Sequence, residues 1–377
     1  MNTLTSTRPD ADATFAVIER ALSAMFARQA AAAEAYGPEF AQLWTLTEQL
    51  MRGGKLVRPL LLIQTFDAIR EESRPSPVPA HATASSRAAA VTVAAATEAL
   101  HFAFLLHDDV IDDDLVRRGK PNLIGELALM AGSDAGHRSS QQRAAHWGQT
   151  GGILAGDLLL SAAHQSFARL DVETSQRTRL LDLLEHTVIE TTAGEYLDVG
   201  LSDGVVTPDL TTVLAMTTRK TATYTFELPL RAAAILAGAS PALERALSAA
   251  GTHLGLAYQL QDDLLSTFGD SDEHGKVPFS DLREGKQTAI MCFARLTSAW
   301  PSIVDDFGDP EMSSATAQRI RERLRDSGAE RIVQGLVEEQ LTACYEIIVG
   351  DIDGEAMPSA VRSVLLNLAE RLEGRRS

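Results

Sequence analysis

The stretch from Arg87 to Ile111 most constrains the fold that this chain can adopt. It contains neither glycine nor proline, and its residues are apolar nearly all the way round a helix. A surface helix keeps a polar face, whereas a helix that is apolar on every side must be enclosed by other helices. The sequence therefore predicts an all-α protein packed around this segment.

Helical periodicity continues through most of the remaining chain. Between Phe15 and Met25, apolar residues recur at three- and four-residue spacing, which predicts one buried stripe. Similar segments are predicted roughly over residues 39–51, 58–70, 87–112, 150–170, 174–200, 210–238, 241–268, 286–299, 313–326, 329–350 and 356–373. Gly, Pro and Ser clusters separate these segments, and residues 133–149 resemble a long surface loop. No linker divides two differently composed halves, so we predict a flexible N-terminus over 1–14 and a single domain over 15–377.

The charge balance excludes some classes of protein. Lys and Arg total 34 against 51 Asp and Glu, which gives a net charge of −17. A nucleic-acid-binding protein would show a basic face, so no nucleic-acid partner is expected. An anionic substrate is compatible with this charge where metal ions bridge the two.

Cysteine usage and hydropathy indicate the compartment. The two cysteines, Cys292 and Cys344, both lie in helix-like sequence, which favours a reducing, cytoplasmic location. The polar N-terminus lacks the apolar core of a signal peptide, and no run of 18 or more apolar residues appears. No integral membrane segment is therefore expected.

The apolar helix ends in an unusually acidic stretch, LLHDDVIDDDLVRRG, which begins at Leu105. Asp108 and Asp112 stand four residues apart, on one helix face and about 6 Å apart along the axis. Two carboxylates so close repel each other unless a cation lies between them, and such oxygen ligands suit Mg²⁺. Asp109 points about 100° away and is expected to orient a neighbour or to bind through water. Asp113 and Asp114 are expected to be solvated.

A second stretch, YQLQDDLLSTFGD, repeats this pattern far along the chain, with Asp262 and Asp263 on another apolar helix. One such motif alone is a weak signal, because a solvated helix end explains it equally well. Two of them on separate apolar helices are a stronger signal. Facing each other across a bundle, they would hold a metal cluster that captures a diphosphate.

Basic residues accompany both acidic stretches. Lys55 and Arg58 follow a Gly pair in GGKLVRP, at a spacing suited to one diphosphate, and arginine is a preferred donor to phosphate oxygens. Any one of these residues alone is more commonly a surface charge, but that explanation does not cover their joint occurrence with both acidic motifs. The other candidates are Arg117, Arg118, Lys220 beside Thr221, Lys276 and Lys286.

These motifs, in this order, resemble the trans-isoprenyl diphosphate synthases of the polyprenyl synthetase family. The resemblance rests on GGKLVRP, HFAFLLHDDVID, RRG, AGDLL, GEYLD, KTATYTF, YQLQDD and SDLREGKQT, and it covers the chain from about Leu43 onward. It implies an all-α bundle around a deep central cavity, usually in a homodimer. It also implies head-to-tail condensation of isopentenyl diphosphate with an allylic diphosphate, with Mg²⁺ as cofactor.

The resemblance also implies roles for the candidate residues. Thr221 and Gln259, with Lys220, would face the allylic cation, and Lys286 would join the substrate-binding residues. His107 has no such role in the family and is expected to be structural. The metal ligands would be Asp108, Asp112 and Asp262; the allylic diphosphate would be bound by Arg117, Lys220 and Lys276, and isopentenyl diphosphate by Lys55, Arg58, His101 and Arg118.

Two positions depart from the family pattern. Ser266 stands where the second acidic motif usually has a third Asp, which predicts altered metal binding without inactivity. Glu195 in GEYLD replaces a common Gln and, with Asp198, would add charge near the metals.

Ser266 also keeps a second interpretation open. DDLLSTFGD approximates the second metal motif of class I terpene cyclases, with Asp270 in place of the final Glu. A cyclase binds one diphosphate and has no use for Lys55, Arg58 and His101, so the synthase is favoured. A third interpretation, a non-catalytic partner subunit of a heteromeric synthase, is disfavoured because such subunits typically lose the acidic motifs.

The residues one turn before Asp108 predict the length of the product. In the family, bulky side chains at the positions of Ala103 and Phe104 form the cavity floor, and only Phe104 is large here. We therefore expect the prenyl tail to stop near Leu100, giving geranylgeranyl diphosphate. Farnesyl diphosphate is the nearest alternative, followed by a longer chain.

Overall fold

A computed structural model of the chain describes residues 9–72, 80–117, 119–132, 138–269 and 279–374. Nearly all of its regular structure is helical, so the predicted all-α class is confirmed. The helices are α1 (Pro9–Ala35), α2 (Pro38–Met51), α3 (Val57–Glu72), α4 (Ala80–Ile111), α5 (Leu123–Gly132), α6 (Arg138–Ala168), α7 (Thr174–Ser202), α8 (Leu210–Thr217), α9 (Leu228–Ala237), α10 (Pro241–Phe268), α11 (Ser280–Arg283), α12 (Ala289–Arg295), α13 (Ser314–Asp326), α14 (Ala329–Val349) and α15 (Ser359–Glu373).

Three other kinds of short element complete the described structure. A π-helical segment, Thr218–Glu227, joins α8 to α9 without a break, and a single 3₁₀ turn covers Trp300–Ser302. Two antiparallel hairpins have two-residue strands, β1 (Val116–Arg117) with β2 (Lys120–Pro121), and β3 (Asp351–Ile352) with β4 (Glu355–Ala356).

The helix α4 lies in the interior, as its sequence predicts. It packs against α6, α3, α1 and α9, and Leu100, Ala103 and Leu106 are almost completely buried. Within the described ranges, Ser86–Ile111 is the one helix with the length and hydropathy of a membrane span, and 67% of its most apolar window is buried in the fold. Such burial is what the core helix of a bundle shows.

A single large apolar core connects the first helix to the last. It runs from Ile18 on α1 to Leu372 on α15, and a small separate cluster surrounds Leu201 and Met216. The large core thus links helices from α1 to α15 within the described ranges, and the single domain over 15–377 stays a prediction.

Two predicted boundaries are wrong. The first helix begins at Pro9, inside the stretch 1–14 that was expected to be a flexible N-terminus. The predicted loop over 133–149 is helical from Arg138 onward, as the first part of α6, and residues 133–137 lie outside the described part of the chain.

The glycines in this stretch explain the second error. A Cβ on Gly148 would lie 2.4 Å from the carbonyl oxygen of Ile124, and one on Gly151 would lie 2.2 Å from a methyl group of Leu127. They allow α6 to approach α5 closely and do not mark turns. Close packing between helices, which single-sequence periodicity does not reveal, selects glycine here.

The π-helical segment is held between α7 and α10 by close backbone contacts. A Cβ on Gly194 of α7 would lie 2.4 Å from the backbone nitrogen of Lys220, and one on Gly255 of α10 would lie 2.3 Å from the Cβ of Ala222. π-helical turns are rare and occur frequently at functional sites. Lys220 and Thr221 lie on this segment, so its π-helical geometry supports their assignment as candidate functional residues.

Candidate active site

Lys220 is at the centre of a cluster of acidic side chains from two helices. Its Nζ lies 3.0 Å from Oδ1 of Asp108 on α4, 3.1 Å from Oε2 of Glu195 and 2.6 Å from Oδ2 of Asp198, both on α7. All four side chains are between 15% and 22% exposed. One ammonium therefore holds three carboxylates together in a partly desolvated site.

The pKa values in this cluster follow from burial and from Lys220. Burial opposes the ionisation of Asp108, but the ammonium of Lys220, helped by Lys286 and Arg117, outweighs it and lowers the pKa of Asp108. Burial raises the pKa of Glu195 to about 7, because Lys220 is shared with Asp108 and Asp198. For Lys220, burial is outweighed by the carboxylates, which raise its pKa. The lysine therefore stays charged at neutral pH.

Arg117 reaches the same cluster from the β1–β2 hairpin. Its Nε donates to Oδ1 of Asp109 at 2.9 Å, and its Nη2 lies 3.5 Å from Oδ2 of Asp108. Asp109 is only 2% exposed, and burial raises its pKa to about 6 in spite of Arg117. Asp109 thus orients Arg117, one of the two roles that its direction on the helix predicted.

The other three aspartates of the first acidic stretch, at the end of α4, differ in their exposure to solvent. Asp112 is exposed, and partial desolvation followed by repulsion from Asp108 raises its pKa to about 6. Asp113 is exposed, has a φ of 55° and accepts a hydrogen bond from Gln149 at 2.7 Å, whereas Asp114 is half-buried. Asp113 is therefore solvated as predicted, and Asp114 is only partly so.

Lys286 follows α11 and approaches the same acids. Its Nζ lies 3.0 Å from Oε2 of Glu284, and it interacts electrostatically with Asp281 and Asp112. These carboxylates outweigh burial and raise its pKa. Lys286 thus adds positive charge on the side of Asp112.

The second acidic helix, α10, joins the site through Gln259. The hydroxyl of Thr221 donates to Oε1 of Gln259 at 3.2 Å, and Nε2 of Gln259 donates to Oδ1 of Asp263 at 2.9 Å. Asp262 lies one turn beyond Gln259, and Ser266 one turn further is buried. The structure thus links Asp263, through Gln259, to Thr221, the residue that follows Lys220.

A separate group surrounds the ring of Tyr224. The Cζ of Arg58 lies 4.7 Å from the centroid of this ring, His101 stacks on it at 5.7 Å, and Phe104 meets it edge-on at 5.4 Å. Arg58 also donates to Oγ1 of Thr225 at 2.9 Å. Tyr224 therefore contacts two predicted isopentenyl-diphosphate residues and one predicted chain-length residue, and sequence reasoning missed it.

Other predicted residues have plainer positions. Lys55 is half-buried and follows Gly53 and Gly54; a Cβ on Gly54 would lie 3.3 Å from a carboxylate oxygen of Glu98. His107 packs against Gly156 of α6, in agreement with a structural role. Arg118, Lys276 and Asp270 lie outside the described part of the chain.

The carboxylates present suit a hard divalent cation. Lys220, held by three of them, demonstrates that this site attracts positive charge. In the ranges that the structure describes, no group of three carboxylate, histidine or cysteine side chains is arranged to hold a metal ion without further ligands. Mg²⁺ often takes one or two protein carboxylates and completes its shell with water and phosphate oxygens. Asp108 and Asp112 therefore fit an ion that binds together with a diphosphate.

The fold and this site define a class of enzyme. An all-helical bundle that gathers carboxylates, a half-buried lysine and an arginine at the end of its central helix matches the isoprenoid synthase fold of solved prenyl diphosphate synthases. Geranylgeranyl pyrophosphate synthase from Corynebacterium glutamicum, whose crystal structure contains isoprenyl diphosphate and magnesium, matches with a TM-score of 0.83 and 27% identity over 96% of this chain and 98% of its own.

The chain belongs to the polyprenyl synthetase family, whose sequence model matches residues 41–307. It is 30% identical to geranylfarnesyl diphosphate synthase of Aeropyrum pernix, over 74% of this chain and 77% of that protein. It is 31% identical to geranylgeranyl diphosphate synthase of Methanosarcina mazei, over 75% and 76% respectively. The chain is therefore a trans-prenyltransferase that acts on isoprenoid diphosphates.

Proposed function

We propose that this enzyme condenses isopentenyl diphosphate head to tail with dimethylallyl, geranyl or farnesyl diphosphate and releases geranylgeranyl diphosphate. The observation that carries the proposal is the cluster of Lys220 with Asp108, Glu195 and Asp198, beside Arg117. It supports one site for an allylic diphosphate. The group around Tyr224, some distance along α4, supports a second site for the isopentenyl substrate.

At the allylic site, Asp108, Asp112 and Asp262 would hold Mg²⁺, which neutralises the charge that grows on the leaving diphosphate. The other direct contacts to this diphosphate would come from cationic side chains, whose charge also compensates the departing phosphate oxygens. These are Arg117, Lys220, Lys276 and Lys286.

The allylic cation would be stabilised by oxygen atoms near Lys220. Because the Thr221 hydroxyl donates its hydrogen bond to Oε1 of Gln259, the lone pairs of the hydroxyl oxygen can face positive charge. The apolar surroundings on α4 would exclude water, which would otherwise quench the cation. The released diphosphate would then accept the proton lost from the condensed product.

At the isopentenyl site, Lys55, Arg58, His101 and Arg118 would hold the diphosphate. Arg58 supports this assignment by its surroundings. Its Nε is buried and has no hydrogen-bond acceptor among the described residues, although its Nη2 is paired with Thr225. An unpaired buried donor is costly, and a phosphate oxygen would satisfy it.

For the product length, we propose a tail channel that is narrowed by Phe104 on α4 and ends near Leu100. Phe104 is half-buried against Tyr224, while Ala103 is completely buried in the core and leaves no bulk beside it. Phe104→Ala should then yield products beyond twenty carbons, and Ala103→Phe should shorten them to fifteen. Chromatography of the dephosphorylated products decides this, and unchanged product lengths in both folded variants would place the floor elsewhere.

One assay separates the proposed activity from the two other interpretations. The purified protein is incubated with isopentenyl and farnesyl diphosphates and Mg²⁺. A synthase makes a longer diphosphate, a class I cyclase makes a hydrocarbon or alcohol, and a non-catalytic partner subunit makes neither. Omission of isopentenyl diphosphate is the control, because only the synthase depends on it.

We further propose a cytoplasmic homodimer. Large apolar side chains are exposed on α5, α6 and α7, among them Leu129 (62%), Leu154 (49%) and Ile189 (58%). Exposed apolar groups on neighbouring helices favour a subunit interface. Cys292 and Cys344 are buried free thiols, which is consistent with a reducing compartment. Light scattering coupled to size exclusion tests the dimer, and a mass near the monomer's 40.5 kDa would contradict it.

A further inference from the structure

Tyr224 lies at a junction between residues of different proposed roles. It belongs to the π-helical segment, four residues after Lys220, and its ring contacts side chains from both α3 and α4. Arg58 and His101 belong to the proposed isopentenyl site, whereas Phe104 belongs to the proposed tail channel.

The contacts restrict how Arg58 can be oriented. An arginine side chain has many rotamers, and a substrate must otherwise select the productive one at an entropic cost. Here the aromatic ring lies 4.7 Å from the guanidinium carbon, and the Thr225 hydroxyl accepts from Nη2 at 2.9 Å. Cation–π contact and this hydrogen bond together fix the plane of the guanidinium. Tyr224 and Thr225 are adjacent, so one short segment orients the arginine.

The same ring supports the side of the proposed tail channel. Phe104 and His101 lie one turn apart on α4, and both contact Tyr224: Phe104 at an interplanar angle of 67° and His101 at 26°. A smaller residue at position 224 would leave Phe104 without its edge-to-face partner. The phenyl ring could then rotate away and open the channel further.

We propose that Tyr224 is a positioning residue that controls two properties of the enzyme together, namely affinity for isopentenyl diphosphate and length of the product. This inference rests on the proposed function, in which Arg58 and His101 bind isopentenyl diphosphate and Phe104 limits the tail. A residue that served only the fold would lower the amount of active enzyme without changing either property selectively. The joint change is therefore the signature of the proposed role.

The test compares Tyr224→Leu with Tyr224→Phe as a matched control. Arg58, His101 and Phe104 all contact the ring of Tyr224 and not its hydroxyl, so Tyr224→Phe should keep both properties. Tyr224→Leu should raise the KM for isopentenyl diphosphate about tenfold, as expected for one lost partly desolvated cation–π contact. Its KM for the allylic substrate should stay within about twofold, and its products should lengthen by at least one five-carbon unit. If Tyr224→Leu does not fold, as judged by thermal melting, Tyr224→Met serves in its place because it keeps the volume without the ring.

Several results would overturn the inference. A change in only one of the two properties refutes the coupling, and so does an equal rise in both KM values. A Tyr224→Phe enzyme that behaves like Tyr224→Leu would refute the role of the ring. These outcomes differ from a failure of the proposed function, in which the wild-type enzyme itself would form no longer diphosphate from isopentenyl diphosphate.

Discussion

Gly194→Ala should misplace Lys220 without removing any charged group. Gly194 lies on α7, next to Glu195, where its Cα faces the backbone of the π-helical segment. The added Cβ would stand 2.4 Å from the backbone nitrogen and 2.8 Å from the Cα of Lys220. Ordinary contact distances begin near 3.4 Å, so the two segments must separate by up to 3.4 − 2.4 = 1.0 Å. Backbone atoms have no rotamer with which to avoid this contact.

A shift of this size is large for the contacts of Lys220. Its Nζ lies 3.0 Å from Asp108 and 2.6 Å from Asp198. An added ångström would lengthen both distances beyond the usual range of a hydrogen bond. Overpacking of a well-packed site typically costs about 1–3 kcal/mol of stability. A misplacement of about 1 Å in a catalytic group can cost roughly 100-fold in rate. We expect kcat/KM for the allylic substrate to fall about 10- to 100-fold.

The assay combines steady-state kinetics with chemical denaturation, and Gly335→Ala on α14 is the control. A Cβ on Gly335 meets no atom of the described residues within 4 Å, so this variant should gain about 0.5–1 kcal/mol from helix propensity and keep full activity. The reasoning is refuted if Gly194→Ala matches Gly335→Ala in stability and retains kcat/KM within twofold. A loss of stability with unchanged kinetics would show that Lys220 does not need its present position.

Three further predictions concern charged residues. Asp108→Ala should lower turnover by orders of magnitude through lost charge stabilisation of the leaving group, whereas Asp113→Ala should keep nearly full turnover; equal losses would contradict the assignment. Arg58→Ala should raise the KM for isopentenyl diphosphate far more than that for the allylic substrate, as initial-rate kinetics with each substrate varied would reveal. In the metal-free protein, burial raises the pKa of Glu195 to about 7, against an ordinary value of 4.5. Between these two pH values the folded state holds a proton on Glu195 that the unfolded state has lost. The free energy of unfolding therefore falls as the pH rises from about 4.5 to about 7. Glu195→Gln, which mimics the protonated acid, should therefore melt at a higher temperature than wild type at pH 8 and at the same temperature near pH 4.5; a difference independent of pH would refute this.

Much of the fold was predictable because it depends on local pattern. The apolar run before Asp108 predicts a buried helix, and the Ser240–Pro241 pair starts α10 where capping rules place it: the Ser240 hydroxyl accepts from the backbone nitrogen of Leu243. The helix Arg138–Ala168 was missed over its first turns because its glycines serve contacts with α5, and a sequence does not reveal which helix will lie beside it.

The candidate site was predictable to the extent that its members belong to short motifs. Asp108, Lys220 and Gln259 each lie in a distinctive stretch, and the structure connects them through Asp108–Lys220 and Thr221–Gln259 contacts. Tyr224 could not be assigned in the same way. Its role arises from three elements that meet in space, and an aromatic residue at that position alone is more commonly part of a core.

The π-helical segment also fixes the length of the chain that crosses the site. A helix of this kind turns by a fixed angle at each residue, about 100° in an α-helix, so removing one residue between Thr218 and Glu227 with the winding kept would rotate the residues on one side of the deletion by roughly that angle. If Lys220 kept its place, Tyr224 and Thr225 would turn away from Arg58. If Tyr224 and Thr225 kept theirs, Lys220 would turn away from its carboxylate partners. Substitutions in this segment can be compensated by neighbouring side chains, but a deletion cannot. Related enzymes that retain this arrangement should therefore differ in the residue types of the segment KTATYTF and not in its length.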